Sequence, residues 1–403
     1  MHFIQWLSLT LSICISQLNA QEAQKHLSSN PSQGISPHKS TPDTNPKNFA
    51  AILPSPLAQL QVTSVPYPTC GPEEIIIKTH VLAINPVDWK IQSPMGRNFN
   101  LTYPAILGED VAGIVVQVGS KIKSKSKFSV GDRVMAQPLG LGNGPAYGGF
   151  QLYPVLKAAT VSKIPNWLSF QEAAVLPLSI STAAAGLFMK STLGLEFPSI
   201  DSDSNSRKRS SSSSSSFQRA KNSTLLVWGC SSSVGSSVVQ LAHAAGYSLI
   251  TTASRSNFAY CESLGADHVL DYHNDNIVEQ IISLLKDKNV VGAYDAIGSE
   301  TTVHQSAAIL HALGGGKIVS VGLAPDLFSD VEVYRVSSGN IVTQEPLVAE
   351  RIWGEYVPWA LESGKLVARP EALVVGKGLE SVQAGLDRQK EGVSALKVEV
   401  VLE

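Results

Sequence analysis

One stretch of the chain joins small residues to a helix in a way that suits phosphate. An apolar run, Leu225-Leu226-Val227-Trp228, ends at Gly229, passes through Cys230-Ser231-Ser232-Ser233-Val234 and reaches Gly235. Apolar residues then recur at helical spacing, at Val238, Val239, Leu241, Ala242 and Ala245. A strand that turns directly into a helix offers backbone N–H groups and the positive end of a helix dipole to an anion. Small side chains are needed there, because a larger one holds the backbone away from a pyrophosphate. Serines stand where the usual fingerprint has glycines. The next strand ends at Ser254, about nineteen residues after Gly235, where an NAD-binding chain normally carries Asp or Glu for the ribose hydroxyls. Arg255 follows instead, so no carboxylate repels a 2′-phosphate and a guanidinium can pair with it. The pattern predicts NADPH; a solvated surface arginine is the other reading.

Such a turn has to be carried by a parallel sheet. Strands are expected at residues 248–254, 268–272, 294–298 and 316–322, and helices at 258–264, 277–285 and 303–313. That alternation predicts an α/β fold, a Rossmann-type parallel sheet with helices on both faces. Residues 49–188 are β-rich. The run 106–119 alternates small and β-branched residues between glycines, and Gly131-Asp132-Arg133-Val134 reads as a turn into a strand, which suits a compact barrel-like domain. Ser169 with Glu172 forms a capping box that opens a helical stretch to Phe188. Beyond about Gln344 the pattern breaks; residues 353–361 look helical and 396–402 alternate like a strand. This tail is expected to fold back onto the first domain. The expected organisation is a leader (1–47), a barrel-like catalytic domain (48–190), a cofactor domain (191–344) and a returning tail (345–403).

At 403 residues, 43% hydrophobic and 16% charged, the chain can bury two sizeable cores. A net charge of -2 gives no electrostatic reason to expect nucleic acid or a membrane as partner. Cys14, Cys70, Cys230 and Cys261 form no CxxC pair and suggest neither a structural zinc nor a disulfide framework. Residues 3–15 have signal-peptide length and Ala20 ends a small-residue cleavage site, which leaves secretion open on form alone. Dependence on a nucleotide kept reduced inside cells argues for a cytoplasmic protein instead. Residues 21–48 are polar and read as a disordered leader. The segment 197–221, with Arg207-Lys208-Arg209 and an unbroken serine run, reads as a solvated surface insert; a nuclear signal or phosphorylated patch is the alternative.

Four motifs in succession resemble the medium-chain dehydrogenase/reductase superfamily: Ala83-Ile84-Asn85-Pro86-Val87-Asp88-Trp89-Lys90, Pro104-Ala105-Ile106-Leu107-Gly108-Glu109-Asp110, Val130-Gly131-Asp132-Arg133-Val134, and 227–235. Within it the chain is most similar to the zinc-independent fungal branch of trans-acting enoyl reductases and quinone-oxidoreductase-like proteins. The resemblance implies a GroES-like barrel as the catalytic domain. Zinc alcohol dehydrogenases have a cysteine ligand where Asn85 stands and a His-Glu pair where Glu109-Asp110 stand, so no metal is expected. Glu109 and Asp110 are then groups that brace the cleft. It further implies that Val87, Asp88, Trp89 and Lys90 lie at the nicotinamide end, with Lys90 the nearest cation for a developing enolate. Thr182 would meet the nicotinamide amide or the substrate, unless its hydroxyl is bonded back to its own helix. Ser231, Ser232, Ser233 and Val234 would contact pyrophosphate; Ser254, Arg255, Ser256 and Asn257 would surround the 2′-phosphate. Tyr272 would lie near the adenosine phosphate, Val321 and Gly322 beside the nicotinamide, and Val393 and Ser394 over the cofactor. Leu178, Ser179 and Leu323 would border the substrate. The implied activity is zinc-independent, NADPH-dependent reduction of an activated C=C bond in secondary metabolism, on a small or carrier-bound enoyl substrate delivered by a polyketide-type synthase. The protein would be a monomer or homodimer. A quinone or carbonyl reductase, or an NADPH-binding protein without turnover, are the alternatives.

Overall fold

The computed structural model describes residues 45–99, 101–125, 127–200, 220, 222–322 and 324–403. The leader and signal-like run, most of the serine-rich insert and Leu323 lie outside the described residues. From Pro46 onward the chain forms one compact unit.

The first part is antiparallel. Strands β1 (Asn48–Leu53), β2 (Gln61–Val65) and β4 (Ala105–Ile106) make a small sheet in the order β2-β1-β4. A larger sheet joins β3 (Glu74–Ala83), β5 (Asp110–Val118), β6 (Arg133–Ala136), β7 (Val155–Lys157) and β8 (Val161–Lys163) to two strands from the chain's end, β15 (Glu371–Lys377) and β16 (Leu396–Val401). Its path is β15-β16-β3-β5-β6-β8, with β7 also on β3. Ile75, Ile77, Leu82, Val111, Phe150, Val398 and Val400 share its core.

The second part is a six-stranded parallel sheet. It consists of β9 (Ser223–Trp228), β10 (Ser248–Ala253), β11 (His268–Asp271), β12 (Asn289–Asp295), β13 (Gly316–Ser320) and β14 (Val331–Arg335), in the order β11-β10-β9-β12-β13-β14. Central β9 is buried along its whole length, as a strand covered by helices on both faces must be. Its Leu225 and Val227 join the core shared with helices Pro177–Phe188 and Ser233–Ala244. Leu226 and Trp228 point the other way, into a core with Ile277, Ile281 and Leu310. The doubly wound order places the phosphate turn at the end of β9, beside the point where connections reverse direction.

Several element boundaries differ from expectation. The strand expected at 294–298 runs Asn289–Asp295 and stops where the Asp295 carboxylate accepts from the Ile297 and Gly298 amides. The helical stretch 169–188 is two helices, Phe170–Ala174 and Pro177–Phe188, because Pro177 opens a new N-terminus. The Ser169–Glu172 capping box is present. Around 353–361 the chain forms a π-helical turn, Glu350–Tyr356, that runs into Val357–Glu362, with Pro358 at the junction. Trp353 and Tyr356 are buried in the core containing Val357 and Leu361, and pairing with the barrel sheet starts only at Glu371. Asn48, assigned to the leader's polar stretch, already pairs with Val65.

Candidate functional site

The phosphate turn is held by contacts that only glycine permits. Gly229 has φ +86, and a Cβ on Gly235 would lie 2.1 Å from the Gly229 carbonyl oxygen. The helix Ser233–Ala244 is therefore seated directly against the end of β9. Ser232 is its N-cap: Oγ accepts from the Gly235 amide at 3.0 Å and donates to the Gly229 carbonyl at 2.9 Å. Ser232, expected at the pyrophosphate, has its hydroxyl engaged in holding the turn. The amides of Ser231, Ser233 and Val234 make no hydrogen bond among the described residues, and all three residues are partly exposed. Three free N–H groups at the start of a 12-residue helix fit a pyrophosphate.

At the end of β10 the structure brings together polar groups from two distant segments. Asn257 Nδ2 donates to Ser254 Oγ and to Ser394 Oγ, both at 3.1 Å, and Ser254 and Ser256 hydroxyls are 3.2 Å apart. Val393, beside Ser394, packs on the barrel core. Arg255 is exposed, and its Nε donates to Asp271 Oδ2 at 3.1 Å, which leaves both terminal nitrogens available. His273 also sits on Asp271, at 2.7 Å, and its ring lies tilted against the exposed Tyr272 ring, with centroids 4.1 Å apart. The His273 backbone amide, with hydrogen bonds from the His273 and Arg255 side chains, holds the Asp271 carboxyl below its ordinary range.

A knot of buried charge ties together the barrel strands and the helix that follows them. Asp88 accepts from the Asn85 and Gly108 amides. Asp110 accepts from Asn85 Nδ2 at 2.6 Å, from the Leu178 amide at 2.5 Å and from Lys397 Nζ at 2.7 Å. Lys397 also donates to Asn85 Oδ1 at 2.5 Å. Burial raises the Asp110 pKa, and the Lys397 ammonium beside it pulls the other way. Asp88 is pushed up to about 7 by burial. Glu109, next in sequence, is held differently: Oε2 accepts from Gln137 Nε2 at 2.9 Å, and that nitrogen also donates to Ser338 Oγ at 2.8 Å. Ser338 follows β14, so Gln137 bridges the barrel to the parallel-sheet domain.

The remaining expected residues fall around this knot. Lys90 lies in the last turn of the helix Pro86–Gln92; its ammonium lies 5.8 Å from the Trp89 ring centroid and has no ion-pair partner among the described residues. Val87 and Trp89 pack on the barrel core. Thr182 Oγ1 donates to the Leu178 carbonyl at 2.7 Å, the bond back to its own helix, and the oxygen keeps acceptor capacity. Its helix is fixed from behind by Tyr294 Oη on the Thr182 carbonyl and Trp353 Nε1 on Ser181 Oγ. Ser179 does not offer a free hydroxyl: it is buried, with Oγ on the Leu176 carbonyl and against Ser237 Oγ at 2.8 Å. Gly322 packs against Gly298, with its amide on Ser320 Oγ, and the Val321 amide donates to the Asp295 carbonyl.

Residues 71–166 match the alcohol dehydrogenase GroES-like domain, and residues 233–362 match the zinc-binding dehydrogenase domain. The chain is 38% identical over 367 residues to the dehydrogenase azaJ of Aspergillus niger, a match spanning 89% of this chain and 99% of that protein. It is 37% identical over 330 residues to the trans-enoyl reductase himH of Aspergillus japonicus, spanning 81% of this chain and 88% of that one. The chain belongs to the medium-chain dehydrogenase/reductase superfamily. The fold agrees: the CurK enoyl reductase structure superposes with a TM-score of 0.67 at 21% identity, over 88% of this chain and 99% of that one. As a member of the superfamily the protein is an oxidoreductase that uses a nicotinamide cofactor.

The zinc in the matching domain's name does not suit this member's residues. Asn85 Oδ1 is taken by Lys397, and both oxygens of Asp110 are engaged by three donors, one of them the Lys397 amine. Among the described residues no group of three or more His, Cys, Asp or Glu could hold a metal. Lys397, Gln137 and Ser338 escaped sequence reasoning. Lys397 sits in an alternating strand where a charged residue reads as solvent-facing, yet it is buried. The signal was the adjacent acids Glu109-Asp110 in an apolar stretch, which demand a counter-cation from elsewhere. Among the described residues no helix is long and apolar enough to cross a membrane.

Proposed function

We infer that the protein is a zinc-independent, NADPH-dependent reductase of an activated C=C bond, an enone or enoyl thioester. The observation that carries this reading is the Asn85–Asp110–Lys397 knot. It spends on hydrogen bonds the donors a metal would need, so polarisation of the substrate carbonyl falls to side chains and backbone. The relative named as a trans-enoyl reductase supports the same substrate class.

NADPH, once bound, supplies a hydride. The free amides of Ser231, Ser233 and Val234 would hold its pyrophosphate, and Arg255 with Ser254, Ser256, Asn257 and Ser394 its 2′-phosphate. Tyr272, exposed and against His273, would border the adenosine. Thr182 Oγ1 can accept from the carboxamide while donating to Leu178. Lys90, with no ion-pair partner among the described residues, would stabilise enolate charge. Leu178 and the segment after Gly322 would border the substrate, on a small or synthase-delivered chain.

Purified protein should oxidise NADPH, and NADH at least tenfold more slowly, with crotonyl-N-acetylcysteamine and a chelator present. Activity abolished by the chelator would overturn the reading. Product analysis separates it from carbonyl reduction, because a saturated thioester or ketone and an allylic alcohol are different molecules.

A further inference from the structure

Asp110 and Glu109 are adjacent carboxyls with opposite treatment. Asp110 is fully buried and takes three donors, one of them from Lys397, so both its oxygens are committed to structural bonds. Glu109 has a neutral amide on Oε2, while among the described residues Oε1 has no hydrogen-bond partner and the residue is 5% exposed. Environments that split two neighbouring carboxyls in this way commonly divide their roles.

Glu109 also stands where the cofactor and substrate segments converge. Gly108, before it, is bonded to Asp88 on the Lys90 helix. Asp110, after it, is bonded to Leu178 at the start of the Thr182 helix. Gln137 ties Glu109 to Ser338 on the parallel-sheet side. A second observation points to a ligand here: Gln137 is fully buried, and among the described residues its Oε1 has no donor. A buried acceptor left bare is unfavourable, and a ligand N–H or O–H would relieve it.

We propose that Glu109 is the proton donor of the reduction, a carboxylic acid held by Gln137 that protonates the α-carbon of the substrate. This rests on the enoyl-reduction reading. The electron pair arrives with the hydride at the β-carbon, the O–H bond of Glu109 breaks as the α C–H bond forms, and the carboxylate left behind regains a proton from water in the cleft. Burial pushes the Glu109 carboxyl up to about 8, with Asp88 and Asp110 adding in the same direction and Gln137 opposing. The other charged groups packed around the knot are Lys397, on Asp110, and Glu399 on the same strand. The acid form therefore prevails at neutral pH and is lost as pH rises through about 8.

The test pairs infrared spectroscopy of the protein alone with turnover of crotonyl-N-acetylcysteamine. A protonated-carboxyl band that titrates near pH 8 in wild type should vanish in Glu109→Gln. The same variant should bind NADPH normally, lose about 100-fold or more in kcat, and lose the alkaline limb of the rate profile. Turnover within about threefold of wild type, or an unchanged band, would overturn the proposal while leaving the reductase reading intact. If wild type binds NADPH but reduces no enone or enoyl thioester, that reading fails and the proposal with it. Should Glu109→Gln lose NADPH affinity, Gln137→Met serves instead. It keeps the acid but should shift its titration and lower kcat without raising KM; wild-type titration and kcat in that variant overturn the proposal.

Discussion

Lys397 shows how one side chain can decide whether a buried cluster is tolerable. Its ammonium is the cation in contact with Asp110 among the described residues, and both groups are almost fully enclosed. Removing it leaves a carboxylate buried without a counter-charge, which typically costs 3–5 kcal/mol. Lys397→Met should therefore lower stability by about that amount in urea unfolding, and adding Asp110→Asn should restore part of it. Additive losses in the double variant would mean that the pair is not coupled. Ser232 is a smaller case. Because it caps its helix, Ser232→Ala should cost about 1 kcal/mol of stability, read as a shift of the unfolding midpoint, besides any effect on NADPH affinity. The residue types at the phosphate turn were legible in the sequence, but the hydroxyl's partner was not. Ser231, Ser232 and Ser233 look alike as letters, and only the φ/ψ path of the turn decides which one meets Gly235.

At the scale of elements, the helix Ser233–Ala244 transmits the turn's geometry to the core. It packs on β9 and on the helix Pro177–Phe188, where Ser237 meets Ser179. A methyl group on Gly235 would sit 2.1 Å from the Gly229 carbonyl, backbone that cannot move alone. Gly235→Ala should push the helix away from β9, destabilise the protein by about 1–3 kcal/mol and weaken NADPH binding at least tenfold in a fluorescence titration. Retained affinity would show that the turn tolerates the shift. The helices and strands of the parallel sheet were readable because their apolar periods are clean: Ile277–Leu285 falls where it was expected. The stretch after Gly322 was not. Strand β14 is mostly half-exposed at the sheet edge, so it lacks the continuous apolar run of β9. The π-helical turn Glu350–Tyr356 has no sequence period of its own, and β15 alternates too weakly to stand out before its pairing with β16 is known.

Over the whole molecule, the chain's end completes what its beginning starts. Strand β16 pairs with β3, delivers Lys397 to the knot and is preceded by Ser394, which meets Asn257 at the other end of the cofactor path. The same strand carries Glu399, fully buried with no partner on either oxygen among the described residues, its pKa pushed up to about 9 by burial. A carboxyl raised in the folded state holds a proton that the unfolded chain releases. Its stability is complete below the ordinary value of 4.5 and falls as pH rises toward about 9, at roughly 1.4 kcal/mol per unit. Glu399→Gln should thus raise the melting temperature at pH 8 while changing it little near pH 5; equal effects at both would exclude a buried neutral acid. The central claim, hydride addition to a conjugated C=C bond without metal, is tested most directly by NADPH deuterated at the transferred position. With crotonyl-N-acetylcysteamine and chelator present, mass spectrometry and NMR should find one deuterium at the β-carbon of a saturated thioester. Deuterium on a carbinol carbon, or no transfer until metal is supplied, would contradict the account.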